Sequence, residues 1–165
     1  MSLKSLYILR HAKSSWDEPD KDDVDRALIS RGVNDAYLMA KKLKSTLKNT
    51  DRVISSPANR ALHTAVIFSK ELDINFDRIE INPNVYEASE AIIIKIIKNL
   101  PDDLNNVLLV GHNPTFTNLA NRFISPPVDN IPTAGMVGIT FNVSNWNELS
   151  REKVKSYFFE FPKKE

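Results

Sequence analysis

Apolar residues along the chain follow two rhythms. Six short runs rich in β-branched or aromatic residues, SLYIL, DRVIS, RIEI, NVLLV, MVGITFNV and SYFFEF, read as strands. Between them lie longer stretches with helical spacing, as in Ala36, Met39, Ala40, Leu43 and Leu47, or Phe116, Leu119, Ala120 and Phe123. This spacing predicts helices over 34–47, 58–72, 91–100 and 114–124. AIIIKIIKNL mixes the two signals. Its isoleucines favour a strand, but Lys95 and Lys98 leave an apolar helical face through Ile93, Ile96, Ile97 and Leu100, which decides for a helix. Strands alternating with helices predict an α/β fold, a three-layer α/β/α sandwich around a mostly parallel sheet of about six strands. The last two strand runs have no helix between them, so at least one is expected to be antiparallel.

Composition narrows the function. A chain of 165 residues, 42% hydrophobic, makes one domain over 1–165. With 22 Lys and Arg against 21 Asp and Glu, no overall field recruits nucleic acid or a membrane, and any anion site has to be local. The absence of cysteine excludes disulfides, Cys-ligated zinc and a cysteine-nucleophile phosphatase. No apolar run approaches the roughly 18 residues of a membrane span, and the apolar stretch in MSLKSLYILRHAK is too brief for a signal peptide. A soluble, cytoplasmic monomer is the expectation. Its three histidines lack metal-ligand spacing, and no metal or cofactor is implied. DKDDVD follows no strand and places Val24 where a calcium loop needs an oxygen ligand, so it reads as a solvated loop. The four glycines form neither G-x-x-x-x-G-K nor G-x-G-x-x-G.

Three strand ends carry related polar groups: YILRH, VISSPANR and LLVGHNP. Ser56-Pro57 and Asn113-Pro114 read as a helix N-cap followed by proline in the first turn, which aims free N–H groups beyond the carboxyl edge of the sheet. That edge is where open α/β sheets bind ligands. Arg60 in a first helical turn opposes the helix dipole, and an anionic ligand would reverse the sign of that cost. A lone Arg or His at a strand end is ordinarily a cap or a solvated residue. Arg10, Arg60, His11 and His112 converging on one edge make a clamp for a phosphate-sized dianion, with planar guanidinium forks to hold its oxygens and an imidazole able to attack phosphorus. His63, on the helix after Arg60, reads as a half-buried packing residue.

At these residues the sequence resembles a known family. LRHAKSSWD, SSPANRALHTA and LLVGHNP resemble, in the same order, the motifs of the histidine phosphatase superfamily with its phosphoglycerate mutase-like fold, over 6–143. The short length, RHAKSSW and DRALISRGVNDAYLMA are similar to the small phosphohistidine phosphatases of the SixA type. The resemblance implies that His11 becomes phosphohistidine while Arg10, Arg60 and His112 bind the phosphoryl oxygens. It adds Arg26, Ser14 and Asn113 as substrate contacts, although Arg26 could equally pair with Asp22 or Asp23. For the general acid it points to Glu87, with Asp22, Asp23 and Asp25 as rivals. Ala12 stands in place of the signature glycine, Lys13 where many relatives carry Glu, and Asp17 where the mutase-like branch often has Asn. The implied substrate is phosphohistidine on a partner protein such as a phosphotransfer domain, or else a small phosphorylated metabolite. A phosphate-binding module without turnover is the reading from another class, and a mutase would need a lid this chain has little length to supply. Only loops 17–26 and 125–135 could cover the site, which predicts a shallow, open pocket.

Overall fold

The computed structural model describes residues 2–17 and 20–163, so Glu18 and Pro19 of the first loop lie outside the described residues. Six strands form one sheet: β1 (Lys4–Arg10), β2 (Arg52–Ser55), β3 (Ile79–Ile81), β4 (Asn106–Gly111), β5 (Met136–Phe141) and β6 (Val154–Glu160). They lie in the order β3-β2-β4-β1-β5-β6. The β2–β3, β2–β4 and β1–β4 pairs are parallel, and β5 runs antiparallel to both β1 and β6. The expected mostly parallel sheet is therefore present, with the antiparallel strand where the missing helix placed it.

Alternation along each strand builds two cores. Leu6 and Ile8 of β1 and Val107 and Leu109 of β4 face one side, where they meet helices α4 (Glu90–Lys98) and α5 (Thr115–Asn121). Tyr7, Leu9, Leu108 and Val110 face the other side, against α1 (Ser30–Lys42), α2 (Lys44–Leu47) and α3 (Asn59–Glu71). AIIIKIIKNL is helical, with Ile93 and Ile97 buried. Ser89 caps it by accepting from the Ile92 N–H at 3.3 Å.

Helix boundaries differ from the pattern at several points. The helix expected from residue 34 begins at Ser30 and breaks at Leu43, yet Ala36, Met39, Ala40, Leu43 and Leu47 are all buried as the spacing required. The N-cap readings at both Ser-Pro and Asn-Pro are corrected. α3 starts at Asn59 with Ala58 as its cap, and α5 starts at Thr115 with Pro114 as its cap. Each helix gives up its first residues to a turn that carries polar side chains into the site.

Packing of α1 onto the segment after β1 requires a glycine. A Cβ at Gly32 would lie 2.2 Å from the Lys13 carbonyl oxygen, which already accepts from the Ile29 N–H at 3.1 Å. Gly32→Ala is expected to lose about 1–3 kcal/mol of stability through overpacking against backbone. It should also lower any activity at the neighbouring site, because Lys13 must move. Urea midpoints decide this, and an unchanged midpoint would show that α1 shifts freely.

Candidate active site

Three adjacent strands end level with one another. Arg10 pairs with Gly111 across β1 and β4, and Ser55 with Val110 across β2 and β4. The residues that follow, His11, Ser56 and His112, therefore leave the sheet together. The backbone at Arg10 and His11 is held from both sides. The His11 N–H donates to Gly111 O at 3.0 Å, and the Ala134 N–H reaches the carbonyls of Arg10 and His11 at 3.2 and 3.1 Å. Thr64, one helical turn after Arg60 on α3, donates to Arg60 O at 2.7 Å and accepts from the Ala12 N–H at 3.0 Å. That ties the segment after β1 to the helix carrying the second arginine.

His11 is buried, 7% exposed, and its Nδ1 lies 2.7 Å from Ala12 O. A carbonyl only accepts, so Nδ1 carries the proton and Nε2 keeps its lone pair. Burial pushes the ring down to about 3. The bond to Ala12 opposes this, and the charges of His112, Arg60 and Arg10 add to it. His112 is similarly lowered to about 4, by burial first and then by Arg60. The two rings lie 5.2 Å apart. Arg60 Nη2 reaches His112 Nδ1 at 3.5 Å, which assigns the proton to Nε2 and makes Nε2 the donor to Ser56 Oγ at 2.8 Å. Ser56, read from sequence as a helix cap, accepts this bond and also one from the Ala58 N–H at 3.1 Å, in the turn before α3.

Arg10 donates from Nη1 to Ile131 O at 3.0 Å, and burial lowers its guanidinium from its ordinary value. The Nε–H groups of Arg10 and Arg60 are buried without a partner among the described residues. Such orphans on cations are costly, and a phosphoryl oxygen would satisfy both. The surrounding cavity, about 580 Å³, is lined by the cations Arg10, Lys13, Arg26, Arg31, Arg60 and Lys163 against the carboxylates of Asp23 and Asp35. Its volume falls in the size range of small-ligand sites.

The other expected residues divide. Arg26 lines the cavity and donates to Ser14 Oγ at 2.7 Å, to Ser15 O at 3.2 Å and to Asp23 Oδ1 at 2.9 Å. Its guanidinium carbon lies 3.5 Å from the centre of the exposed Trp16 ring. Ser14 also lines the cavity, as the acceptor for Arg26. Asn113 lines it too, but its amide is spent inside the protein. Nδ2 donates to Asn130 Oδ1 and Ile131 O, each at 2.9 Å, and Oδ1 accepts from Thr117. It ties the 125–135 loop to α5. His63 is exposed rather than half-buried.

The acid position is also corrected. Glu87 is exposed, takes a left-handed φ of 53° and does not line the cavity. What the segment after β3 delivers is Tyr86, whose hydroxyl donates to Asp23 Oδ2 at 2.6 Å and whose ring stands edge-on to His112 at 5.6 Å. Asp22 and Asp25 are exposed and lie outside the cavity lining. Asp23 does face the site, held by Arg26, Tyr86 and Arg60. Burial raises its carboxyl, but hydrogen bonds from Tyr86, Arg26 and Arg60 outweigh that and hold it well below the usual carboxylate range. It is an anion at neutral pH and has no proton to give. The same bond pushes the Tyr86 hydroxyl up to about 12. Thr64 could have been found from sequence, since it lies four residues after Arg60 on one helical face. Tyr86 and the grip of Asp23 on Arg60 carry no local signal.

Comparison with known proteins bears on this arrangement. The model of the histidine phosphatase superfamily (branch 1) matches residues 6–89. An uncharacterised protein of Mycobacterium leprae (strain TN) is 29% identical across 94% of this chain and 100% of its own. A structure assigned as phosphohistidine phosphatase SixA from Agrobacterium tumefaciens superposes with a TM-score of 0.78 at 25% identity, over 96% of this chain and 99% of that one. A protein histidine phosphatase SixA complexed with tungstate superposes at 0.74 and 20% identity, over 95% and 94% of the two chains.

The lowered histidines predict an acid-sensitive fold. Unfolded histidines titrate near pH 6.5, so between that value and about pH 4 the unfolded chain binds more protons than the folded one. The stability is present above pH 6.5 and is lost as pH falls. From pH 7 to 5 the two rings together should remove about 2–4 kcal/mol. Asp23 stabilises above its unfolded value near 4 and adds nothing in this window. Urea midpoints at the two pH values test it, with His11→Asn expected to flatten the slope. Equal midpoints for the wild type would show that the rings titrate as solvent-exposed groups.

Proposed function

The chain belongs to the histidine phosphatase superfamily, and from that premise we propose that it hydrolyses a phosphorylated substrate through a covalent phosphohistidine on His11. The observation that carries the reading is the pairing of an unprotonated His11 Nε2 with two orphaned guanidinium N–H groups, on Arg10 and Arg60, in one buried cluster. Nε2 attacks phosphorus in line and the bond from phosphorus to the leaving group breaks. The phosphoryl group is left on His11 until water attacks it and the P–N bond breaks in turn. The Nδ1–H bond to Ala12 O strengthens as the ring gains positive charge. Arg10 and Arg60 meet the charge gathering on the phosphoryl oxygens, a role that requires no metal. Burial first, and then the charge of Arg60, keep His112 neutral in the free enzyme. A bound dianion offsets that charge and lets it donate.

The substrate follows from what the leaving group needs. With Asp23 ionised, Glu87 outside the cavity lining and the other lining carboxylate, Asp35, paired with Arg31 at 4.0 Å, no carboxyl of the site is set up as the acid for an alkyl phosphate ester. A phosphoramidate needs less, because its imidazole can leave already protonated. Phosphohistidine on a partner protein is accordingly the proposed substrate. A small phosphorylated metabolite is the second reading, favoured by the cavity of about 580 Å³.

Turnover of a phosphohistidine peptide, para-nitrophenyl phosphate and phosphoglycerates, with chelator present, should rank the phosphohistidine peptide first by kcat/KM. Rapid acid-free quenching should trap one phosphoryl group per chain, stable to alkali. His11→Asn, whose amide can keep the bond to Ala12, should fold and lose both signals. Activity surviving in folded His11→Asn would overturn the covalent route, and phosphoglycerates leading the panel would favour the metabolite.

A further inference from the structure

Both terminal nitrogens of Arg60 bond to one residue of a separate loop, beside the longer 3.5 Å contact of Nη2 with His112 Nδ1. Arg60 Nη1 donates to the main-chain oxygen of Asp23 at 2.7 Å and its Nη2 to Asp23 Oδ2 at 3.0 Å. Both terminal nitrogens are thus gripped from one end, while the buried Nε–H has no partner among the described residues. We propose that Asp23 is a positioning residue of the clamp, gripping Arg60 end-on so that its Nε–H edge is kept for a phosphoryl oxygen. The inference rests on the phosphatase reading and adds to it how the second arginine is oriented.

The support for Asp23 is unusually complete for an aspartate whose side chain is 44% exposed. Tyr86 donates to the same oxygen that holds Arg60, and Arg26 takes the other one. Arg26 is itself fixed by Ser14, Ser15 and the face of Trp16. The carboxylate therefore cannot swing without breaking bonds to two other side chains. Charge fits the same role. The lining sets six cations against the carboxylates of Asp23 and Asp35, so Asp23 offsets part of that charge and still leaves a net positive field for a phosphoryl dianion. Without Asp23 the arginine would be free to turn its terminal nitrogens toward the site, and a fixed side-on fork would become a mobile charge.

A carboxylate among arginines has a rival role, as an internal stand-in that phosphate must displace, and the two predict opposite signs. Positioning predicts that Asp23→Ala weakens vanadate binding at least about tenfold and lowers kcat about 100-fold, the cost typical of a misplaced catalytic group. Displacement predicts tighter vanadate binding, which would overturn the proposal. Asp23→Asn keeps an acceptor oxygen for Nη2 and should restore kcat to within about tenfold of wild type. A kcat for it as low as that of Asp23→Ala would count against positioning. Because Asp23 acts through Arg60, its removal in an Arg60→Ala background should change kcat/KM less than about twofold, and full additivity would again overturn the inference. If the wild type turned over no phosphoryl substrate, the phosphatase reading would fall, and vanadate calorimetry on the same variants would still decide the role of Asp23.

Discussion

Guanidinium groups brought together at the edge of a sheet repel one another and are costly to bury without an anion. Arg60 and Arg26 are 5% and 9% exposed, and the protein meets their charge from inside with Asp23. Much of the surrounding loop geometry follows from this need. Ser14 bridges to Leu28, the Ser15 N–H donates to Ala27 O, and the Ile29 N–H donates to Lys13 O. These bonds return the loop to the segment after β1 and let the Asp23–Asp25 turn reach α3. The close approach at Gly32 belongs to the same junction. The helix-dipole cost anticipated for Arg60 is thus already met in part by a carboxylate of the chain itself.

β1 carries two cationic side chains at its ends, and the contrast between them separates structure from chemistry. At its start Lys4 is 2% exposed, and its ammonium donates to Asp102 O, Leu104 O and Asn105 Oδ1 beside the Trp146 ring. All three donors are used, as a buried structural cation requires. At its end Arg10 has a carbonyl for Nη1 and, among the described residues, no partner for Nε. A fold able to satisfy one cation fully leaves the other short at the edge where β1, β2 and β4 end together.

The arginine field adds to what burial does to the histidines. Burial is the larger cause of their lowered values, but the cations push the same way, so both rings are neutral before any ligand arrives. For His11 that is the form with a free lone pair on Nε2. For His112 it means that its proton-donating form depends on an incoming negative charge. The same groups that favour an anion therefore reinforce burial in keeping both rings neutral.

Local pattern was sufficient for whatever depends on neighbours along the chain. Period-two and helical spacing identified six strands, the helical character of AIIIKIIKNL and most of the buried faces, because which side of an element is apolar follows from sequence alone. The strand-end motifs likewise placed Arg10, His11, Arg60 and His112, since a residue just beyond a parallel strand is carried to the carboxyl edge whatever the rest of the fold does. Helix starts were less legible. Ser56 and Asn113 have the composition of caps and do accept from the Ala58 and Thr117 N–H groups, but both lie ahead of the first helical residue and also bond to His112 and to the 125–135 loop. The choice among the acidic residues was decided only in three dimensions. Glu87 and Asp23 are alike as letters, and a left-handed turn leaves one outside while a returning loop sets the other between two arginines from distant segments. Sequence determined which chemistry the edge of the sheet could hold. Tertiary structure decided which carboxylate stands among the cations, because that depends on charges meeting across 37 residues of separation between Asp23 and Arg60 and 63 between Asp23 and Tyr86.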